Sequence, residues 1–144
     1  MNAPSEWYEG PEIATPEALA DLVGAYRPDS LIVSYAYGLE NRAYKKGLSH
    51  LTAREQLVVA GTVFEREINS GGLQSFLEDY AAYHDAAKLS LKTMGHNTIA
   101  EIVDKALHVA QSVGSEAEAL DALNEDYYAL GVDLAEDLIR LATG

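Results

Sequence analysis

The chain has 144 residues, with 23 acidic and 10 basic side chains and a formal net charge of −13 at pH 7. This length suits one domain with a buried core, and the absence of cysteine excludes disulfides, thiolate zinc sites and a cysteine nucleophile. The charge disfavours direct binding to nucleic acids or to an anionic membrane, and no apolar run is long enough to span a bilayer.

The first fourteen residues contain two prolines and few aliphatic side chains, which is typical of an extended arm. Trp7 and Tyr8 are the side chains that we expect to dock this arm onto the core. Residues 1–6 lack the basic region and apolar run of a secretory signal, so we expect a cytoplasmic protein.

Two helices are predicted in the next thirty or so residues by their start and stop signals. Residues 15–17, Thr-Pro-Glu, place a capping threonine before a proline in the first helical position. Asp29 or Ser30 is expected to cap a second helix, which runs to about Lys46. Gly47 then suits a left-handed C-cap.

A capping box at residues 52–55, Thr-Ala-Arg-Glu, opens the third predicted helix. Its apolar side recurs at spacings of four, three and four residues, in Leu57, Gly61, Phe64 and Ile68. Residues 69–72, Asn-Ser-Gly-Gly, are expected to end this helix. A further helix then starts at Leu73 and buries Phe76.

Helical signals continue through the second half of the chain, where capping boxes fall at residues 98–101 and 115–118. Asn97 or Thr98 is expected to start the helix at the first of these boxes. Gly95 and Gly114 are expected to end the two helices before these boxes, and Gly131 divides the last helical region into one kinked or two short helices. No stretch alternates with period two. The sequence therefore predicts one all-α domain over residues 1–144, an irregular bundle of about six to eight short helices behind an extended arm at residues 1–14.

Residues 67–76 break a strong apolar period with a glycine pair and then restart it. This segment resembles the E-[VI]-N-N-G-G-[FW]-x-Q-[FY] signature of a family of small bacterial proteins built on a domain of unknown function. The matching residues are Glu67, Ile68, Asn69, Gly71, Gly72 and Phe76. Ser70 and Leu73 replace the second asparagine and the aromatic residue, and Gln74 stands one position early. The resemblance implies an all-α fold.

The glycine pair at residues 71 and 72 is interpreted mainly as a bend, because glycine reaches positive φ without a steric penalty. Asn69 can tolerate the left-handed region or bind the exposed backbone of the turn. Glu67 and Gln74 are expected to reach free backbone groups across the bend. The alternative is an anion cradle formed by the amides of residues 70–73 at a helix N-terminus.

Acidic side chains dominate the last thirty residues and form the candidate partner-binding surface. Its members are Glu116, Glu118, Asp121, Glu125, Asp126, Asp133, Glu136 and Asp137. Carboxylates three or four residues apart on a helix stand about 5–6 Å apart, whereas DNA carries a phosphate about every 3.4 Å along each strand. An acidic helix row can therefore imitate part of a DNA backbone. The alternative interpretation is a solvated face that only keeps the protein soluble.

The sequence contains no pattern that indicates catalysis or cofactor binding. The four histidines show no H-x-x-x-H or E-x-x-H spacing, and Asp104 with His108 is interpreted as a surface pair. There is no G-x-S-x-G nucleophile elbow. We therefore expect no enzyme, no catalytic residues, no metal and no cofactor.

The best-known members of the resembled family are acidic DNA mimics that occupy the DNA-binding surface of a transcription regulator. The resemblance therefore implies a protein-binding module whose partner is a basic DNA-binding protein. One alternative is an immunity or antitoxin-like protein that neutralises a basic toxin or nuclease. A further alternative is a small ligand-binding domain that uses the bend at residues 69–74. The nine tyrosines also suit an interface, including that of a homodimer, although half-buried packing explains them as well.

Overall fold

The computed structural model describes residues 5–111 and 116–144. In this part of the chain the backbone forms seven α-helices and no strand, with one isolated bridge between Val23 and Tyr26. The expected all-α architecture is therefore confirmed. No helix among the described residues has the length and apolar character needed to cross a membrane.

The seven helices are α1 (Pro16–Leu22), α2 (Pro28–Lys46), α3 (Ala53–Asp79), α4 (His84–Thr93), α5 (Asn97–Ala110), α6 (Glu116–Leu130) and α7 (Ala135–Thr143). They form two compact units. The first unit comprises Met1–Thr62 and Leu134–Gly144, and the second unit comprises Val63–Asp133. The boundary between the units falls within α3. That the whole chain behaves as one domain stays a prediction.

The first two helices begin at prolines, but only the first has the expected cap. The Thr15 hydroxyl accepts a hydrogen bond from the Ala18 amide at 3.1 Å, as its sequence predicts. Helix α2 instead begins at Pro28 without a side-chain cap, so the expectation that Asp29 or Ser30 caps it is wrong. The Asp29 carboxylate binds the Arg27 guanidinium at 2.7 Å, and the Ser30 hydroxyl donates to the Arg27 carbonyl at 2.8 Å. The Asp29 carboxylate also accepts from the Ser30 amide at 3.0 Å, so both side chains act from inside the first turn rather than from the N-cap position.

Residues 5–14 of the N-terminal arm form neither helix nor strand, and their own contacts hold them on the first unit. Ile13 is buried, with 2% of its surface exposed. The Tyr8 amide donates to the Ser30 hydroxyl at 3.1 Å, and the Arg27 guanidinium lies 5.4 Å from the centre of the Trp7 ring. The arm thus docks through Trp7 and Tyr8, as expected, and through Ile13 as an apolar anchor.

The core of the first unit lies where α7 packs against α1 and α2. Leu19, Leu31 and Leu138 are fully buried there, one from each helix. Burying a leucine stabilises the fold by about 1.5–3 kcal/mol. The short helix α1 therefore owes its stability to packing rather than to its length, since isolated helices of this size are unstable.

The predicted capping box at the start of α3 is confirmed in both directions. The Thr52 hydroxyl accepts from the Glu55 amide at 3.1 Å, and the Glu55 carboxylate accepts from the Thr52 amide at 2.9 Å. The Arg42 guanidinium binds the same carboxylate at 2.7 Å. Burial raises the pKa of Glu55, but the hydrogen bonds from Thr52 and Arg42 outweigh burial and leave this pKa below its usual value.

The core of the second unit is built from the rest of α3 and from α4, α5 and α6, with α5 packed against both α4 and α6. Phe64 is fully buried and meets Phe76 and Tyr127 edge-to-face, with ring centres 5.3 and 5.8 Å apart. Ile99 and Val103 of α5 are also buried. These aromatic contacts join both ends of the unit's sequence into one core.

Helix α5 does not begin with the expected capping box at residues 98–101. It starts at Asn97, one of the two expected starts, with His96 as an N-cap that makes no side-chain hydrogen bond. Gly95, at φ +86°, reverses the chain, and the His96 amide donates to the Leu91 carbonyl at 2.8 Å. Because this reversal already places residue 97 in the helix, Thr98 lies inside the first turn. The third predicted capping box begins at Ser115, and Gly114 is the predicted end of the helix before it. Both residues lie outside the described part.

We expect Glu55→Gln to lower the free energy of unfolding by about 1 kcal/mol at pH 7, because it removes the charge that Arg42 and the Thr52 amide bind. The folded-state pKa of Glu55 is lowered, so its stabilisation is complete above the usual carboxyl pKa and is lost as the pH falls through the lowered value. The difference from wild type should therefore shrink by pH 3 in urea titrations. The control is Glu9→Gln, at an exposed residue, which should leave the free energy of unfolding at pH 7 unchanged. An equal deficit at both pH values would contradict this role.

Candidate protein-interaction site

The second unit turns sharply at Gly72, which interrupts the helical backbone of α3 with φ +72° and ψ −174°. Residues 69–72 were expected to end a helix together, but the chain is helical through Gly71. Only Gly72 leaves the helical conformation. Asn69 keeps a right-handed conformation, because the described residues with positive φ are all glycines. The bend thus depends on Gly72 alone.

The bend is tied to α6 by Asn124, a residue that sequence reasoning did not single out. The Leu73 amide, the first after the break, donates to the Asn124 side-chain oxygen at 2.8 Å. The Asn124 amide group in turn donates to the Gln74 side-chain oxygen at 2.9 Å. One asparagine therefore acts as the cap of the restarted helix and as a link between two helices.

Gln74 extends this link to the acidic residues of α6. Its side-chain nitrogen donates to a carboxylate oxygen of Asp121 at 2.9 Å. Gln74 was expected to reach backbone groups across the bend, and it binds the side chains of Asn124 and Asp121 instead. The family motif and the candidate acidic surface, which are separate in the sequence, are therefore in direct contact.

Glu67 spans the bend through side chains as well. Its carboxylate accepts from the Ser75 hydroxyl at 2.8 Å and from the Arg66 guanidinium at 2.7 Å. The Tyr128 hydroxyl donates to the carbonyl of Ile68, so a second residue of α6 fastens the helix before the break. Both sides of the bend are thus held.

Phe76, the last residue of the motif, is fully buried one turn after the bend. Its ring centre lies 5.0 Å from that of His84, and its carbonyl oxygen lies 3.0 Å from the ring nitrogen Nε2 of His84. These contacts supply an anchor in the core for the restarted helix. Together with the bound Leu73 amide, they support the structural interpretation of the motif over the anion cradle.

An acidic row lies on α6, defined here as Glu118, Asp121 and Glu125. These residues are exposed on the side of the helix opposite the buried Leu120 and Tyr127, as their spacing predicts. Among the described residues, no lysine or arginine nitrogen lies within 4.0 Å of their carboxylates. The acidic row therefore keeps its charge open to solvent.

The remaining predicted acidic residues do not all belong to this row. Glu116 and Asp126 are exposed on α6, and Asp133 follows it at the end of the second unit. Glu136 and Asp137 lie on α7 in the first unit. Asp137 binds Arg140 of the same helix, which offsets its charge.

Charge is distributed unequally between the units. The second unit carries 13 acidic and 4 basic side chains, whereas the first carries 10 acidic and 6 basic ones. The net charges are therefore −9 and −4 for segments of similar length. An excess of this kind raises the negative potential around the second unit and attracts basic partners.

Tyr127 is the other unusual group of the second unit, since its hydroxyl is buried without a hydrogen-bond partner in the described structure. The residue is 3% exposed. Burial raises the pKa of this phenol, and the negative charges of Glu65 and Asp133 raise it further. The hydroxyl therefore stays protonated and contributes no charge.

No site for a metal ion is formed by the residues that the structure describes, since no group of three or more His, Asp or Glu side chains converges. Asp104, expected to pair with His108, accepts a hydrogen bond from Lys88 at 2.9 Å. Lys88 also lies 4.0 Å from Asp85. These charges form a surface network between α4 and α5.

The fold and the charge define a class: a small, acidic, all-α protein with a bend that fastens an acidic helix. Among known families, the chain matches the DMP19-like protein family over residues 49–142. The chain therefore belongs to the DMP19-like protein family. No curated protein and no solved structure shows a significant match. This match confirms the expected resemblance to a family built on a domain of unknown function. That the chain acts as a DNA mimic stays a prediction.

We expect Gly72→Ala to lower the free energy of unfolding by about 2–4 kcal/mol. An added Cβ would meet the Asn124 amide nitrogen and the Gln74 side-chain oxygen, both at 2.8 Å, in a backbone conformation that alanine rarely adopts. The control is Gly95→Ala, which has φ +86° but no atom within 4 Å of the added carbon. It should cost only about 1 kcal/mol for the positive φ. Equal losses in chemical denaturation would mean that the Asn124 link carries no energy.

Tyr127→Phe should leave the free energy of unfolding unchanged or raise it by about 1 kcal/mol, because the buried hydroxyl has no partner to lose. The folded-state pKa of Tyr127 is raised, so wild type loses stability above the usual phenol pKa of about 10, and the variant should lose less. The contrasting variant is Tyr128→Phe, which removes the bond to Ile68 and should cost about 1 kcal/mol. A costly Tyr127→Phe in urea titrations would reveal a partner for the hydroxyl.

Proposed function

We propose that this protein is a non-enzymatic protein-binding module that acts as a DNA mimic. Its acidic row on α6 would occupy the DNA-binding surface of a basic transcription regulator or another basic DNA-binding protein. The observation that carries the proposal is the exposure of Glu118, Asp121 and Glu125 on one helix face without a lysine or arginine within 4.0 Å. An unpaired row of this kind retains its full charge for a partner.

Electrostatics supports a basic partner. The second unit has a net charge of −9, which steers cationic surfaces towards it and repels nucleic acids. Side chains three and four positions apart on a helix stand about 5–6 Å apart, on the same scale as the phosphate spacing of a DNA strand. Lysine and arginine side chains that bind operator phosphates can therefore reach successive carboxylates of the row.

The way the helix is held supports a preformed binding surface. Gln74 and Asn124 fix the orientation of α6 through hydrogen bonds of 2.9 and 2.8 Å to Asp121 and the Leu73 amide. Preformed surfaces lose less entropy on binding. The family motif would thus serve the function indirectly, by placing the acidic row rather than by touching the partner.

The test begins with capture of partners from the native host lysate at low and high salt. We expect a basic DNA-binding protein that salt releases and that cognate DNA displaces. The variant E118Q/D121N/E125Q should weaken its binding by about ten-fold or more, since each exposed charge contact contributes up to about 1 kcal/mol. The D121N change keeps an oxygen that can accept the hydrogen bond from Gln74.

The matched control is E6Q/E9Q/D21N, which neutralises two glutamates and one aspartate on the exposed surface of the first unit. It changes the net charge equally and should weaken binding less than two-fold at 0.15 M salt, where the Debye length is about 8 Å. Equal binding by both triple variants would refute the role of the acidic row. Capture of a basic nuclease or toxin instead would favour the immunity interpretation.

A further inference from the structure

An apolar groove opens on the surface of the second unit where α5 runs beside α6. Its volume is about 540 Å³, within the range of about 300–1,000 Å³ that is usual for ligand sites. The groove is lined by Val109, Ala119, Ala122 and Leu123, together with Asp104, Lys105 and His108. Leu123, at 9% exposure, is the most buried of these residues.

The groove exists because α6 places small side chains beside α5. Ala119 and Ala122 are three residues apart and therefore lie on one side of the helix, where larger residues would fill the space. Ala122 is exposed. Exposed apolar surface of this shape, bordered by charged residues, is typical of a site that another molecule covers.

The border of the groove on α6 is acidic. Ala122 stands four residues after Glu118, three before Glu125 and four before Asp126, so all three carboxylates are its neighbours on the helix surface. All three are exposed. An occupant that fits this border combines an apolar ridge with cationic side chains next to it.

We propose that the groove between α5 and α6 holds an amphipathic helix of the basic partner. Its aliphatic side chains contact Val109, Ala122 and Leu123, and its lysine or arginine side chains bind Glu118, Glu125 and Asp126. Helices commonly dock in this way, with apolar residues at every third or fourth position placed in a groove. The inference rests on the proposed function and adds to it an apolar contact that charge mimicry does not require.

The test uses the full chain and two 18-residue peptides of equal charge. One peptide repeats leucine at helical spacing with lysine elsewhere, and the other replaces every leucine by alanine. We expect the Lys/Leu peptide to bind at least ten-fold more tightly at 0.15 M NaCl, because apolar burial adds to charge. In ¹H–¹⁵N spectra its shifts should centre on Val109, Ala119, Ala122 and Leu123.

Ala122→Gln fills the groove with a polar side chain without altering charge, and glutamine is a good helix former. It should weaken binding of the Lys/Leu peptide about ten-fold and leave the Lys/Ala peptide unaffected. The control is Ala129→Gln, which changes an exposed alanine of α6 that does not line the groove. It should have no effect. Unchanged thermal unfolding of Ala122→Gln would show that the fold is intact.

The outcomes separate this inference from the proposed function. If E118Q/D121N/E125Q weakens partner binding and Ala122→Gln does not, the acidic row stands and the groove proposal is overturned. If only Ala122→Gln weakens binding, the apolar contact in the groove stands, whereas the charge-based function and the assigned contacts to Glu118 and Glu125 fail. Equal affinity for both peptides also overturns the groove proposal. So does a change in sedimentation caused by Ala122→Gln without peptide, since that would assign the groove to a second copy of the chain.

Discussion

The structure of the second unit depends on the positive φ of Gly72, which interrupts the helix and leaves the amide of Leu73 without a partner in the helix. A helix that restarts after a break has free N–H groups, and these must find partners. The Leu73 amide finds the side-chain oxygen of Asn124 on α6, at 2.8 Å. The same asparagine holds Gln74, and Gln74 holds Asp121. The conformation of one glycine therefore determines how the acidic helix is attached to the core of the unit.

Local signals in the sequence predicted the helices well where each signal stood alone. The box at Thr52 and Glu55 and the cap at Thr15 formed as expected, because their partners lie within three residues. The box at Thr98 failed because Gly95 had already reversed the chain and allowed the helix to begin earlier. The reversal at Gly95 therefore decided where α5 begins, although residues 98–101 have the residue types of a capping box.

The candidate site could be predicted only in part, for a related reason. Helical period was enough to place Glu118 and Glu125 opposite the buried face of α6. It could not identify Asn124 or Tyr128, whose partners lie 51 and 60 residues away in the sequence. The only hint in the sequence is that the polar Asn124 directly follows Leu123, which is buried. A polar residue at the edge of an apolar helix face is common, so this position alone does not indicate a contact with the bend. Contacts over this separation are set by packing.

The chemistry of the attachment has a consequence for charge. Lysine or arginine could also have fastened α6 to the bend, but a cation there would have neutralised the carboxylates beside it. The side-chain contacts described above between α6 and the bend use the amides of Asn124 and Gln74 and the hydroxyl of Tyr128, all of which are uncharged. Neutral donors orient Asp121 and leave its negative charge in place. Fastening by neutral groups therefore holds the acidic row in position without cancelling the property that a basic partner would recognise.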